Sequence, residues 1–306
     1  VTRPERPPAR RTVPARDGAR RPGPDRGGPQ PRPSAPGPGA AFRLLVEYDG
    51  SRFQGWQRQG ADQTAQGVRT VAGTLERVLA DAGVRVTGLG GAGRTDAGVH
   101  ALGQVAHLHL AGAGHRARDL QLLFDQGLPG DAAVREVAPC SPQFHARHDA
   151  VSRSYLYQLS LRRSAFAKPY IWWVKGALDL DRLAAAWAAF QGPYDFSAFA
   201  DLEPGEDPRA RIIATELARD GGLVLLRVTG GHFLRRQVRR MVGAAIQCAQ
   251  GREHPDRIAR DLAHPTGEAG LHWGASAAPA SGLFLERVRY PGDPAELPLR
   301  CATPVL

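Results

Sequence analysis

The sequence predicts an α+β fold made of two halves of similar make that meet near residue 150. Three observations carry that reading. Short strand-like segments and helix-period segments mix without strict β-α alternation, which argues against a parallel doubly wound sheet. A turn signal, Asp220-Gly221-Gly222, joins two strands directly and so implies antiparallel pairing. The style of the first half returns in the second, with no short-period repeat to suggest a solenoid.

In the first half, Phe42 to Tyr48 reads as a strand closed by Asp49-Gly50. A loop rich in Gly, Gln and aromatics follows. Val68, Val71, Leu75, Val78 and Leu79 recur at helical spacing, with Thr64 as the expected N-cap. Val84 to Leu89 and Gln104 to Leu110 read as strands around a Gly-rich loop, Leu120 to Phe124 as a short helix and Ala133 to Val137 as a strand. In the second half, Ser154 to Leu161, Ile212 to Leu217, Leu223 to Val228 and Phe284 to Arg289 read as strands. Leu183 to Phe190, Phe233 to Gln250 and Asp256 to Ala263 read as helices.

The formal net charge of +10 points to a polyanionic partner, nucleic acid or an anionic surface. Lys168 and Lys175 are the only lysines, so arginine carries nearly all the positive charge. Arginine suits phosphate and base contacts, although a GC-rich genome produces the same bias. Residues 1–40 hold nine arginines against three acids and almost no large apolar side chain, so they are expected to be disordered. Such an arm could grip RNA phosphates or be a solvated extension. Cys140, Cys248 and Cys301 are far apart and odd in number, which argues against a disulfide framework or a cysteine zinc site and fits a reducing cytoplasm. No apolar run approaches the roughly 20 residues of a membrane helix, and the N-terminus lacks the apolar core of a signal peptide.

Gly88-Leu89-Gly90-Gly91-Ala92-Gly93 fits the dinucleotide pattern G-x-G-x-x-G, but a strand follows closely where the pattern needs a helix. The next residues, Gly93-Arg94-Thr95-Asp96-Ala97-Gly98-Val99-His100, form a tight loop between two strands. Arg94 and Asp96 stand two apart and can share one side of an extended segment. Such a pair could brace a loop. It could also keep a carboxylate ionised in a partly dry site, where it is a usable nucleophile.

The longer string, continued by Gly103-Gln104-Val105, resembles the catalytic signature of the tRNA pseudouridine synthase A family. The likeness runs from about 42 to 291. It includes Glu47 to Gln59, Leu128-Pro129-Gly130-Asp131, Phe144-His145-Ala146-Arg147, Ser154-Tyr155-Leu156-Tyr157, Asp195 to Phe199, Phe233-Leu234 with Val238 to Gly243, and Gly282 to Leu285. Gln237, Asp125 and Gly127 depart from the usual residues, away from the signature.

The resemblance implies two α+β domains, 41–150 and 151–291, whose mainly antiparallel sheets join into one platform with the active-site cleft between them; 292–306 is a C-terminal extension. It implies that Asp96 is the nucleophile and that Arg94 displaces and holds the target nucleotide. Tyr155 packs on the uracil as the favoured general base, and Arg239 ion-pairs with the aspartate. The implied reaction converts uridine to pseudouridine at tRNA positions 38, 39 and 40, in the anticodon arm, on a flipped base, without cofactor or metal, by a cytoplasmic homodimer. A carboxylate beside C1′ is what glycosidic-bond chemistry requires, by direct attack or by promoting loss of the 2′ proton. The base role asks that the site lower the Tyr155 pKa.

Arg52, Arg58, Arg147 and Arg153 are candidate RNA contacts, each also readable as ordinary surface. Arg235 and Arg236 read as a solvated face. His107 and His109, or His145 and His148, could offer two metal ligands without an evident third. Trp172-Trp173 could stack bases or pack a core. A noncatalytic RNA-binding or RNA-folding protein on the same scaffold is the alternative function; the presence of Arg94, Asp96, Tyr155 and Arg239 together favours the enzyme. Removing residues 1–40 is expected to leave the folded body intact, and thermal unfolding of the truncated chain checks this.

Overall fold

A computed structural model describes residues 39–58, 67–294 and 298–303. The Arg/Pro-rich segment up to residue 38 and the expected Thr64 cap lie outside the described residues. The first half supplies strands β1 (Gly39–Tyr48), β2 (Val86–Gly91), β3 (His100–Ala111) and β4 (Ala132–Pro139), with helices α1 (Val71–Asp81) and α2 (Ala117–Gly127). The second supplies β5 (Ser152–Ser160), β6 (Trp172–Trp173), β7 (Gly192–Asp195), β8 (Arg209–Asp220), β9 (Leu223–Gly230) and β10 (Leu283–Arg289). Its helices are α3 (Leu180–Ala188), α4 (Gln237–Ala249), α5 (Pro255–Ala263) and α6 (Gly267–Gly274).

The strands form one ten-stranded sheet in the order β4-β1-β3-β10-β5-β9-β8-β7, with β2 beside β3 and β6 beside β5. Pairing is antiparallel except at two short joints, β10 with β3 and β6 with β5. The seam between the halves is therefore filled by the last strand. Phe284 and Leu285 of β10 sit opposite His100 and Ala101 of β3, while Leu283 to Arg289 pair back along β5. The α+β class expected from the mixed pattern is the class observed.

The two faces of the sheet are covered differently. Tyr155, Tyr157 and Leu159 of β5 belong to the larger core with helical residues such as Leu75, Phe124, Trp187 and Met241. Leu156 points to the other side, as strand alternation requires, and joins Leu223, Leu225 and Phe284 beneath Ala167, Ile171, Leu299 and Cys301. Arg227, only 1% exposed, holds that side through Glu286 Oε1 at 2.6 Å and Pro298 O at 3.3 Å.

Several elements differ from the sequence reading for local reasons. β1 starts at Gly39, so it takes in the end of the segment read as a tail; pairing with Ala111 needs only backbone groups. The first helix begins at Val71, and Thr70 caps it by accepting from Gly73 N. β2 runs on through the glycines to Gly91, because a Cβ at Gly90 would lie 2.5 Å from Cε1 of His107 on the paired strand. No helix follows that glycine run. α4 begins at Gln237 rather than Phe233, since Arg236 takes a left-handed backbone at φ 56°. Trp172 and Trp173 form the short β6. Among the described residues no helix is long and apolar enough to cross a membrane.

α4 is seated by a close approach at Gly243, whose missing Cβ leaves room for the Ser276 carbonyl. Gly243→Ala is expected to lower stability by about 1–3 kcal/mol through overpacking, read as a fall in the urea midpoint at unchanged slope.

Candidate active site

Asp96 lies on the loop between β2 and β3, and that loop is tied down at almost every residue. Ala92 N donates to Val105 O, and Gln104, fully buried, both accepts from Gly93 N and donates to Gly93 O at 2.7 Å. The Thr95 hydroxyl meets the Tyr48 hydroxyl at 2.8 Å, and Trp56 N donates to Thr95 O at 3.1 Å. Gly98 N donates to Phe53 O, and Val99 N closes the turn on Asp96 O. Gly55 is required for this approach: its φ is +87°, and a Cβ there would overlap the Thr95 carbonyl.

The Asp96 carboxylate is about a third exposed and faces Arg239, whose Nη1 is 3.5 Å from Oδ2. Arg239 comes from the first turn of α4. Its Nε donates to Ala278 O at 2.7 Å, and its own carbonyl accepts from Ala278 N, so the guanidinium is aimed from both ends. Tyr155, on β5, is 7% exposed. Its hydroxyl lies 3.5 Å from where a Cβ of Gly93 would be, and its ring meets Phe233 edge-on at 5.1 Å. The structure thus brings Asp96, Arg239 and Tyr155 to one place, from the β2–β3 loop, α4 and β5. Arg94 is exposed and forms no ion pair with a described acid; Asp96 pairs with Arg239 instead.

Burial pushes the Tyr155 phenol up to about 12, against an opposing pull from Arg153 and with a smaller upward push from the charge of Asp96. This corrects the expectation that the site lowers it: a phenol with almost no solvent loses more as an anion than one nearby cation returns.

The other candidates separate clearly. Arg52 is exposed at the rim of a polar cavity of about 350 Å³ lined by Asp49, Arg69 and Asp131. Arg58 is exposed and pairs with Glu76 at 3.2 Å. Arg147 is exposed, in the segment just before β5, and its carbonyl accepts from Arg153. Arg153 is not a surface residue: it is 6% exposed with its guanidinium turned inward onto carbonyls. Sequence reasoning treated it as one more arginine, although its place two residues before Tyr155 on a fully buried strand was a usable signal. Arg236 bonds Asp201 at 3.2 Å, and Arg240 pairs with the same carboxylate.

Comparison with known proteins completes the description. The family model described as tRNA pseudouridine synthase matches residues 44–149 and 186–291. The chain belongs to the tRNA pseudouridine synthase family, and so is an isomerase. Proteins named tRNA pseudouridine synthase A are similar to it over nearly their whole length. The one from Bacillus sp. (strain KSM-64) is 33% identical over 252 residues, 81% of this chain and 99% of that protein. Those from Geobacter sp. (strain M21) and Hyphomonas neptunium are 36% and 37% identical, each covering 82% of this chain and 98% of the relative.

Beside the site, His107, His109, His145 and His148 form a row of touching rings, with centroids 5.2 Å apart between 107 and 109, 4.4 Å between 107 and 145, and 4.2 Å between 145 and 148. No group of three or more His, Cys, Asp or Glu among the described residues is arranged to hold a metal ion. Buried His107 accepts from Ala146 N at 3.2 Å, and burial, reinforced by its histidine neighbours, lowers its pKa to about 4. The folded state therefore keeps it neutral while the unfolded chain takes up a proton below about 6.5. Stability from this group is complete above pH 6.5 and is lost as pH falls toward 4. Thermal unfolding followed from pH 7 to 4 is expected to show that loss, and His107→Gln to flatten it.

Proposed function

We propose that this isomerase converts uridine to pseudouridine at positions 38, 39 and 40 in the anticodon stem-loop of tRNA, with Asp96 as nucleophile. The observation that supports this most is the placement of Asp96 against Arg239 and beside Tyr155, on a loop held from all sides, within the string Gly93 to His100. A carboxylate kept in place by a cation suits attack at an electron-poor sugar carbon.

The target base leaves its stack to reach the cleft, at a cost of a few kcal/mol. Arg94, exposed and without a carboxylate partner among the described residues, braces the vacated space and holds the nucleotide. Asp96 engages the sugar as the C1′–N1 bond breaks, by attack at C1′ or by removal of the 2′ proton. The uracil turns and C5 bonds to C1′, which releases the Asp96 carboxylate from C1′ in the first route and returns the 2′ proton in the second. C5 then gives up its proton and N1 ends protonated, so no atom is gained or lost and no redox cofactor enters the balance. Tyr155 packs on the uracil; its phenol gives its proton toward N1, and the phenolate so formed receives the C5 proton, so that the two transfers balance.

Arg52, Arg58 and Arg147 contact RNA phosphates in this reading, and affinity rests on backbone and shape more than on base sequence. The halves 41–150 and 151–291 act as two domains facing one cleft, and the enzyme works as a homodimer in the cytoplasm.

Pseudouridine mapping on unmodified tRNA transcripts tests the proposal. The protein is expected to modify the anticodon arm. Asp96→Asn is expected to lose turnover by more than about 10³-fold while tRNA binding stays within a few-fold. Turnover retained by pure Asp96→Asn would remove the aspartate from its role; tight binding without pseudouridine from folded wild type would favour a noncatalytic RNA-binding protein.

A further inference from the structure

Arg153 presents an unusual arrangement. It is the second residue of β5, opposite Gly230 of β9 and Val288 of β10, and it is buried. Its five hydrogen bonds all go to main-chain carbonyls. Nε and Nη2 donate to Ala92 O at 3.2 and 2.9 Å, and Nη2 also donates to Arg147 O at 2.5 Å. Nη1 donates to Gly231 O at 2.7 Å and to Ala150 O at 3.3 Å. A guanidinium has five N–H groups, so the fork is saturated. No carboxylate pairs with Arg153 among the described residues, and burial, outweighing the opposing pull of Tyr290 and Tyr155, sets its pKa below the ordinary value.

A buried cation without a counter-ion is a poor device for stability; an apolar side chain of similar volume would be the cheaper filling. What the guanidinium does is join three segments that no other described side chain joins together. Ala92 is the root of the loop that carries Arg94 and Asp96. Arg147 and Ala150 belong to the segment that leads into β5. Gly231 begins the turn from β9 toward Phe233 and Arg239. Tyr155 stands two residues further along β5, on the same side of the strand.

We propose that Arg153 is a positioning residue for the isomerisation: it fixes the Asp96 loop relative to Tyr155 and to the turn that leads to Arg239, and it does so as a hub of carbonyl contacts rather than as an RNA ligand. The proposal rests on the catalytic assignment of Asp96 given above. Lysine has three donors on a point charge and can reach part of this set, whereas methionine fills the space and reaches none.

The test measures kcat and KM for pseudouridine formation, tRNA Kd and Tm for wild type, Arg153→Lys and Arg153→Met. Leu262→Ala, a core variant on α5, serves as the reference for lost stability. Arg153→Met is expected to lower kcat about 10²-fold with KM and Kd within about threefold, since a small displacement of reacting groups costs rates of that order. Arg153→Lys is expected to recover about tenfold of that loss. Two results would overturn the proposal: a rise in KM and Kd at preserved kcat, which would make Arg153 an RNA contact, or a fall in kcat no larger than that of Leu262→Ala at equal loss of Tm. If Arg153→Met does not fold, Arg153→Lys alone decides, with a tenfold lower kcat at unchanged KM expected and wild-type kcat overturning the idea. A wild type that forms no pseudouridine would instead remove the underlying catalytic reading.

Discussion

The constraint on which the site depends is the confinement of eight residues between two strands. A short carboxylate can approach a sugar carbon only if its backbone is held within about half an ångström. Here the hold comes from main chain meeting main chain at positions where a side chain would not fit. Gly55 admits the Thr95 carbonyl, and Gly50 would otherwise drive a Cβ into the Val99 carbonyl. The buried amide of Gln104 and the paired hydroxyls of Tyr48 and Thr95 complete the clamp. Sheet, helices and seam serve to bring these contacts to one point.

Much of this was legible before any coordinates. The catalytic string stood out because a dense run of glycines with Arg, Thr, Asp and His is chemically unusual, and strand alternation marked most of the sheet. The misses have physical causes. The glycine run looked like a loop because glycine disfavours strands, yet the His107 ring at Gly90 and the Trp56 ring at Gly91 leave no room for anything larger. β7 is four residues long and α6 begins at Gly267 with Gly270 and Gly274 within it, so neither shows a clear period. The late start of α4 turns on one left-handed residue, Arg236, which is not a residue type that announces such a backbone. The direction of the Tyr155 shift could not come from neighbouring residues in sequence, because burial under Phe233 and the cores of both halves decides it.

Two arginines in the interior show how differently one side chain can be neutralised. Arg227 meets carboxylates, Glu286 and Glu216, on the side of the sheet away from the cleft, so its charge is fully countered by ionised partners. Arg153 meets only carbonyl dipoles and keeps its net charge beside the cleft. A cation already met by carboxylates has little positive field to offer a substrate. A cation solvated by fixed dipoles retains its field in a region poor in water, where it acts over a longer range than an exposed arginine.

The position of β10 has a consequence for how the protein comes into being. His100, at the end of the signature loop, bonds through Nε2 to the Ser281 carbonyl, 181 residues later in the chain. The strand that follows Ser281 closes the seam between the halves. During synthesis the Asp96 loop emerges well before the strand that joins its half to Tyr155. A nascent chain therefore carries every group of the site except their mutual placement. Pairings this remote also slow folding, because a long loop must close before the contacts reward it. The cleft is assembled only after β10 has emerged, and a chain truncated before Leu283 would be left with His100 and Ala101 of β3 and the facing edge of β5 unpaired, a species open to aggregation.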